Sequence, residues 1–417
     1  MRIAVVEWWP RICGATDWAI HLSHAKPPRG VTCERVSFSK SGRHLAAWGR
    51  GNLWQVHRQA DAVDVLNQYD LVITSDVVCF APALVDRGRS VPYYVDVLRQ
   101  MKTPWTSMYH GGTYPSKYDD TLRAVFETKS FTGRLITTRL PEARARLDHI
   151  TPRPIAYANY PYLPYSLEFR QPPSKLPPVS RRKRGAILMT ARIAVNKGQN
   201  VAMYLGPKAG VNVRLYGYNA FGLPSIGWRL VELADALRYR VVKKPQLPKD
   251  KAHLTHPRAV RFYTGAFTVS HNGYETSYHD AYLSLDEIDW GAAAVHLSLP
   301  SEDFRGTLEY VTLDAIAAGA VAIVPEHNVD YPRYTRDAFP SVPFSRASIW
   351  ARKDGTAAVK INPDEERAIV TALDYYANRA TRVELERIAA AQHRELVTKH
   401  DPGTVLRKLL KHTEGAI

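Results

Sequence analysis

Short apolar runs recur along this chain at the intervals that parallel strands with helical crossovers require, and the rhythm breaks once before restarting. Residues 2–6 (RIAVV) predict a buried opening strand, and Gly14 and Thr16 then precede Trp18, Ile20, His21 and Leu22, whose spacing predicts a capped helix. Further runs at 71–74, 105–108 and 135–138 predict the remaining strands of an open, mostly parallel sheet.

The break is a proline-rich stretch carrying Pro154, Pro161, Pro164, Pro172, Pro173, Pro177 and Pro178, which excludes regular helix and ends in the basic run Arg181, Arg182, Lys183 and Arg184. Beyond it the segments GAILMTARIAVNKGQNVAMYL, VNVRLYGYN, VRFYTGAF, AAVHLSLP and AVAIVP predict a second parallel sheet, and residues 364–399 predict long closing helices. A chain of 417 residues exceeds what one hydrophobic core sustains. The expected architecture is therefore α/β with two Rossmann-like, doubly wound domains facing a cleft: an amino-terminal domain over 1–165, a basic linker over 166–184, a second Rossmann-like domain over 185–360, and carboxy-terminal helices over 361–417. In such folds ligands sit at the carboxyl ends of the strands.

Composition narrows the function class. With 45% hydrophobic and 23% charged residues, a mostly disordered chain is excluded. No run of about 18 apolar residues occurs and the first apolar run is too short for a signal peptide, so a cytoplasmic location is expected, the host's if a phage encodes the protein. Cys13, Cys33 and Cys79 share neither close spacing nor a His-rich neighbourhood, which predicts reduced, buried thiols and no metal site. The formal charge of +16 favours a polyanionic partner, nucleic acid or an anionic membrane surface, although a basic surface alone has the same composition.

Several residues stand where chemistry is expected. Arg192 and Lys197 follow the first strand of the second half and precede a helix, with Gly198 permitting close backbone approach; a diphosphate suits that position, and solvated loop cations are the alternative. Further on, LPSEDFRGTLEYVTLDAIAAGAVAIVP contains a polar loop, a candidate cap at Thr307, an apolar helix and then Gly319 before a strand. Glu309 and Asp314 lie on that segment, either as ligand contacts or as polar positions of an amphipathic helix. Gly217 and Gly265 are predicted to end strands where a side chain would obstruct a ligand, ordinary turn glycines being the equal alternative. In the first half, His110 follows a strand and precedes Gly111 and Gly112; it suits proton relay if its pKa is near neutral, or a packed structural role. Asp17 is a candidate base or a helix-dipole carboxylate, and Gly14 belongs to a glycine-bearing loop after the first strand.

Together the segments around Arg192, Lys197–Gly198 and 301–324 resemble the carboxy-terminal domain of retaining GT-B glycosyltransferases, whose later motif reads E-G-F-G-x-x-x-L-E-A-x-A-x-G-x-P-V-V. The match is best over 313–324 and the strand order agrees over most of 185–345. The resemblance implies that Asp314 takes the place of the second family carboxylate, which binds the nucleotide ribose, and that Arg192 and Lys197 stabilise the departing diphosphate. The first family carboxylate falls at Gly306, so Glu302, Asp303 or Glu309 can replace it only with a rearranged loop. It also implies a cleft histidine at His110, a loop at Gly14 approaching the donor phosphate, transfer with retention from a nucleotide sugar, UDP-linked by preference, and no required cofactor or divalent metal. Sugar and base specificity are expected in loops around 219–228, 271–279 and 302–306.

For the acceptor, residues 34–60 interleave Lys40, Arg43, Arg50 and Arg58 with Phe38, Trp48 and Trp54, a composition suited to phosphates and exposed bases. With the run 181–184 and the overall charge, this resembles phage glycosyltransferases that modify hydroxymethylated pyrimidines, making double-stranded DNA the expected partner. Transfer to a polysaccharide, lipid-linked or protein acceptor is the alternative, and a catalytically idle double-Rossmann protein that binds nucleic acid is a second.

Overall fold

The computed structural model describes residues 1–8, 14–39, 55–75, 77, 93–110, 116–163, 177–191, 197–217, 226–246, 266–280, 288–302, 308–329, 334–335 and 337–413. Contacts divide the chain into two units, one of Met1–Leu163, Arg305–Tyr310 and Val397–Ile417, the other of Pro164–Phe304 and Val311–Leu396.

In the first unit the strands are β1 (Arg2–Glu7), β2 (Thr32–Ser39), β3 (Gln55–Arg58), β4 (Leu71–Ser75), β5 (Trp105–Tyr109), β6 (Phe131–Thr137) and β7 (Ala156–Tyr157). They form one sheet in the order β3-β2-β1-β4-β5-β6-β7, every pair parallel. Helices α1 (Gly14–Ser23), α2 (Ala62–Leu66), α3 (Tyr93–Gln100), α4 (Asp119–Phe126) and α5 (Leu140–Leu147) supply the crossovers. β4 and β5 are buried at every position, as strands covered on both faces must be, and they carry only apolar or small hydroxyl residues with no charge. Glu7 is the exception at the end of β1: it is 1% exposed and forms an ion pair of 3.0 Å with Arg35 of β2, beneath Trp8, which stacks on Phe38 and Tyr94.

The second unit contains β8 (Ala186–Thr190), β9 (Asn212–Gly217), β10 (Arg240–Gln246), β11 (Ala266–His271), β12 (Tyr274–Asp280), β13 (Val295–Leu297), β14 (Val321–Pro325) and β15 (Ser341–Val342), in the order β10-β11-β12-β9-β8-β13-β14-β15, with a separate ribbon of β16 (Ser348–Ala351) and β17 (Ala357–Lys360). Helices α6 (Gln199–Lys208), α7 (Ile226–Ala236) and α8 (Tyr310–Ala317) connect them, and α9 (Pro363–Asp374), α10 (Arg382–Lys399) and α11 (Pro402–Lys411) close the chain. α9 and α11 carry the expected start signals: Asn362 accepts from Asp364 N–H and Asp401 accepts from Thr404 N–H, each with proline in the first turn.

This second sheet is mixed rather than purely parallel. β10, β11 and β12 pair antiparallel, and β11 and β12 form a hairpin turning through Asn272 at φ 51° and Gly273 at φ 83°, the left-handed pair that tight hairpins require. Of the stretch VRFYTGAF only Ala266 and Phe267 are among the described residues, where they open β11, and residues 271–279 form the β11–β12 turn and most of strand β12 rather than a specificity loop. β9 has parallel neighbours on both sides, β12 and β8.

The basic run at the linker's end is partly structural. Arg182 is buried at 4% exposure, donating from Nε to the Pro177 carbonyl at 3.0 Å and from a terminal nitrogen to the Ala318 carbonyl just past α8. A cation there meets the negative end of the helix, which explains its burial. Arg184 donates to the Asn378 carbonyl. Phe38 likewise faces the core, and Arg58 pairs with Asp61 at 2.9 Å. Lys40, Arg43, Trp48, Arg50 and Trp54 lie outside the described residues, as do Cys13 and Cys79; Cys33 is a free, partly buried thiol.

Candidate functional site

In the second unit β8 has β9 on one side and β13 on the other, so the crossovers leaving β8 and β13 run to opposite sides and open a crevice at the carboxyl edge of the sheet. The residues singled out from sequence gather along this edge. Lys197, 8% exposed, stands directly before α6, and Gly198 caps that helix at φ 80°. A Cβ on Gly198 would lie 2.8 Å from the Leu299 carbonyl oxygen, so only glycine lets the β8–α6 connection close against the segment following β13. Asp314, 1% exposed, lies on α8, which begins at Tyr310, two residues beyond the start that a cap at Thr307 would give. Gly217 ends β9, where its carbonyl accepts from Tyr278 Oη at 3.1 Å. β11 runs antiparallel to β12, with Phe267 opposite Tyr278, so Ala266 stands at this same edge although its strand starts rather than ends there. Arg192, Gly265, Gly306, Asp303 and Thr307 lie outside the described residues.

Sequence reading missed His296, which sits wholly buried at this crevice. Its Nε2 accepts from Thr190 N–H at 3.2 Å and lies 2.9 Å from Thr190 Oγ1, while Thr190 Oγ1 is 3.4 Å from the Val311 carbonyl. Burial pushes the imidazole pKa down to about 3, leaving a neutral ring that fastens the end of β8 to β13. Thr312 Oγ1 donates to Ser298 Oγ at 2.9 Å and ties α8 to the same segment. A single histidine inside an apolar strand carries no sequence signal distinguishing this bracing from catalysis.

In the first unit His110 follows β5 at the carboxyl edge. It stacks on Tyr160 at 5.5 Å, meets Trp18 edge-on, and its Nδ1 lies 3.4 Å from Tyr160 Oη. The column continues from Tyr160 to Tyr310 at 4.9 Å and from Tyr310 to His21 at 5.0 Å, with Tyr310 Oη donating to the Pro161 carbonyl. None of Tyr160, Tyr310 or the His21 ring was marked by a motif, because stacking partners distant in sequence leave no spacing. Burial, with help from the Arg139 charge, lowers the His110 pKa to about 3, so the premise of a near-neutral relay does not hold. A neutral imidazole at this position accepts or donates hydrogen bonds without carrying charge. Glu309 is half-buried beside Tyr310, Gly14 opens α1, and Asp17 lies within that helix.

His110 and His296 have the same linkage consequence. Both bind protons more readily unfolded, near the ordinary value of 6.5, than folded, near 3, so stability rises with pH across this window and is lost as pH falls through it. The thermal midpoint is expected to fall from about pH 7 to pH 4 less steeply for His110→Phe, which keeps the stack, than for the parent. Parallel slopes would refute the assignment.

Among the described residues no group of three His, Cys, Asp or Glu is arranged to hold a metal, and no helix is long and apolar enough to cross a membrane.

No family model matches the chain, and neither does any curated protein. Solved structures do match over its full length. An α-glucosyltransferase in complex with UDP-glucose and DNA containing an abasic site superposes with a TM-score of 0.62 at 11% identity, covering 99% of both chains. An α-glucosyltransferase with UDP and a 13-mer DNA containing an HMU base gives 0.61 at 13% identity, again over 99% of each. Anabaena HepE in complex with UDP gives 0.59 at 13% identity over 100% of both. The fold is the GT-B fold of two Rossmann-like units.

Proposed function

We propose that the protein is a nucleotide-sugar-dependent glycosyltransferase that uses a UDP-sugar, transfers with retention of configuration, and acts on hydroxymethylated pyrimidines in double-stranded DNA. The carrying observation is the crevice at the β8 switch point, where Lys197 and the tightly closed Gly198 stand at the start of α6 and the buried Asp314 lies on α8.

A leaving diphosphate gains charge as the glycosidic bond lengthens. Lys197, joined by Arg192, stabilises that charge, and the amino-terminal end of α6 adds backbone donors. Asp314 accepts from the ribose hydroxyls. The acceptor hydroxyl attacks the face the diphosphate leaves, and a diphosphate oxygen takes its proton. That route needs no protonated histidine, in keeping with a neutral His110. His110 and Asp17 then orient sugar and acceptor, Gly14, Gly217 and Gly265 leave room for the donor, and Glu309 is the available carboxylate near the position where the family motif has its first.

The DNA acceptor draws support from the net charge of +16 and from neighbours bound to UDP and DNA. A polysaccharide, lipid-linked or protein acceptor is favoured by one specific observation: Arg182 and Phe38 are buried in the fold and so drop out of the nucleic-acid surface.

The two acceptors separate in one assay. Incubating the protein with UDP-sugars and with DNA containing 5-hydroxymethylcytosine or 5-hydroxymethyluracil, then weighing the digested nucleosides, is expected to show a sugar-sized gain on the modified base and none on unmodified DNA. Donor hydrolysis without that gain would remove DNA as acceptor; neither hydrolysis nor gain with any nucleotide sugar would leave a catalytically idle protein.

A further inference from the structure

The first unit has a second cationic feature that the proposed chemistry does not use. A cavity of about 350 Å³ is lined by Thr132, Arg134, Arg153, Pro154, Lys411 and His412. Thr132 and Arg134 lie in the amino-terminal half of β6, so the cavity is at the sheet edge opposite His110; Lys411 ends α11. No lining residue is acidic, and among the described residues no carboxylate pairs with Arg134, Arg153 or Lys411. At that end of α11 the Leu409 and Leu410 carbonyls are already taken by the backbone N–H groups of His412 and Thr413. Two of the lining residues each hold a polar atom, Thr132 Oγ1 and His412 Nε2, that is buried without a hydrogen-bond partner among the described residues. Buried polar atoms without partners cost stability, and cations gathered without a counter-charge repel one another.

We infer that this cavity is an anion site that takes a phosphate group, with Arg134, Arg153 and Lys411 supplying charge and Thr132 and His412 supplying the remaining hydrogen bonds. Guanidinium pairs match phosphate oxygens in geometry as well as charge, and the volume exceeds that of one phosphate, leaving room for a diphosphate or an ester. The charges of Arg134, Lys408 and Lys411 add to burial in holding the His412 pKa below its ordinary value, and a bound anion opposes them. The inference does not rest on glycosyl transfer.

The test follows the His412 side chain by NMR in the full chain while inorganic phosphate or pyrophosphate is added at constant ionic strength. A saturable shift, with the His412 pKa rising, is expected, and Arg134→Ala with Arg153→Ala should weaken it about tenfold or more at an unchanged melting temperature. Absence of saturation, or equal affinity in the double variant, would overturn the site. Should the double variant melt early, Lys411→Ala on the exposed end of α11 gives the same comparison. Competition with unmodified duplex DNA then identifies the phosphate source: displacement that weakens steeply with salt marks a nucleic-acid backbone, and no displacement marks a free phosphate compound. Either source upholds the site.

Discussion

Replacing Lys197 by Ala is expected to lower turnover about a hundredfold or more while donor affinity changes far less. An ammonium held beside the leaving diphosphate does most for the transition state, where the charge is greatest, so its loss falls on kcat rather than on KM. Its side chain is buried, and Gly198 next to it holds φ 80° against the Leu299 backbone, so it stands on a closely packed start to α6. Lys197→Arg is expected to recover part of the rate, since charge is kept and shape is not. The same loss is expected for Arg192→Ala. Steady-state rates with the preferred UDP-sugar decide the matter, and near-parent kcat in both alanine variants would remove these residues from the chemistry.

The largest stability effect is expected at Arg35. Its ion pair with Glu7 is almost wholly excluded from water, with side chains 2% and 1% exposed. Arg35→Met removes one member of this buried pair while the Glu7 charge stays in the interior, costing about 3–5 kcal/mol. The double replacement Glu7→Leu with Arg35→Met removes the stranded charge as well and is expected to be more stable than the single variant. Urea unfolding of the three proteins checks this, and a double variant no better than the single would show that the pair acts through packing alone.

What the sequence disclosed, and what it hid, divides along physical lines. β1, β4, β5, β8 and β14 are legible because strands buried on both faces are mostly apolar with few charges, and the closing helices because residues 364–399 keep apolar residues at helical spacing. The hairpin of β11 and β12 is also written, in Asn272–Gly273, but reading the second half as one parallel sheet makes 271–279 a loop. The placement of Lys197 before α6 and of Asp314 on α8 is legible because both sit at fixed offsets from strand ends. Tyr160, Tyr310 and His296 are not, since packing partners far apart along the chain impose no pattern on it. Arg182 shows the limit of charge counting: a basic run does not say which of its members turns inward.

The division of the chain into units has a temporal consequence. The first unit includes Tyr310 and the stretch from Val397, with α11 against α1 and Gly403 close to the Lys26 carbonyl. A ribosome delivers residues in order, and a domain made of one continuous segment can finish folding while the rest is still being synthesised. This one has to wait. Its seven-stranded sheet emerges early but lacks the helix α11 until synthesis has passed residue 402, by which time every segment of the second unit has already been made. The half that begins first is therefore the half that matures last.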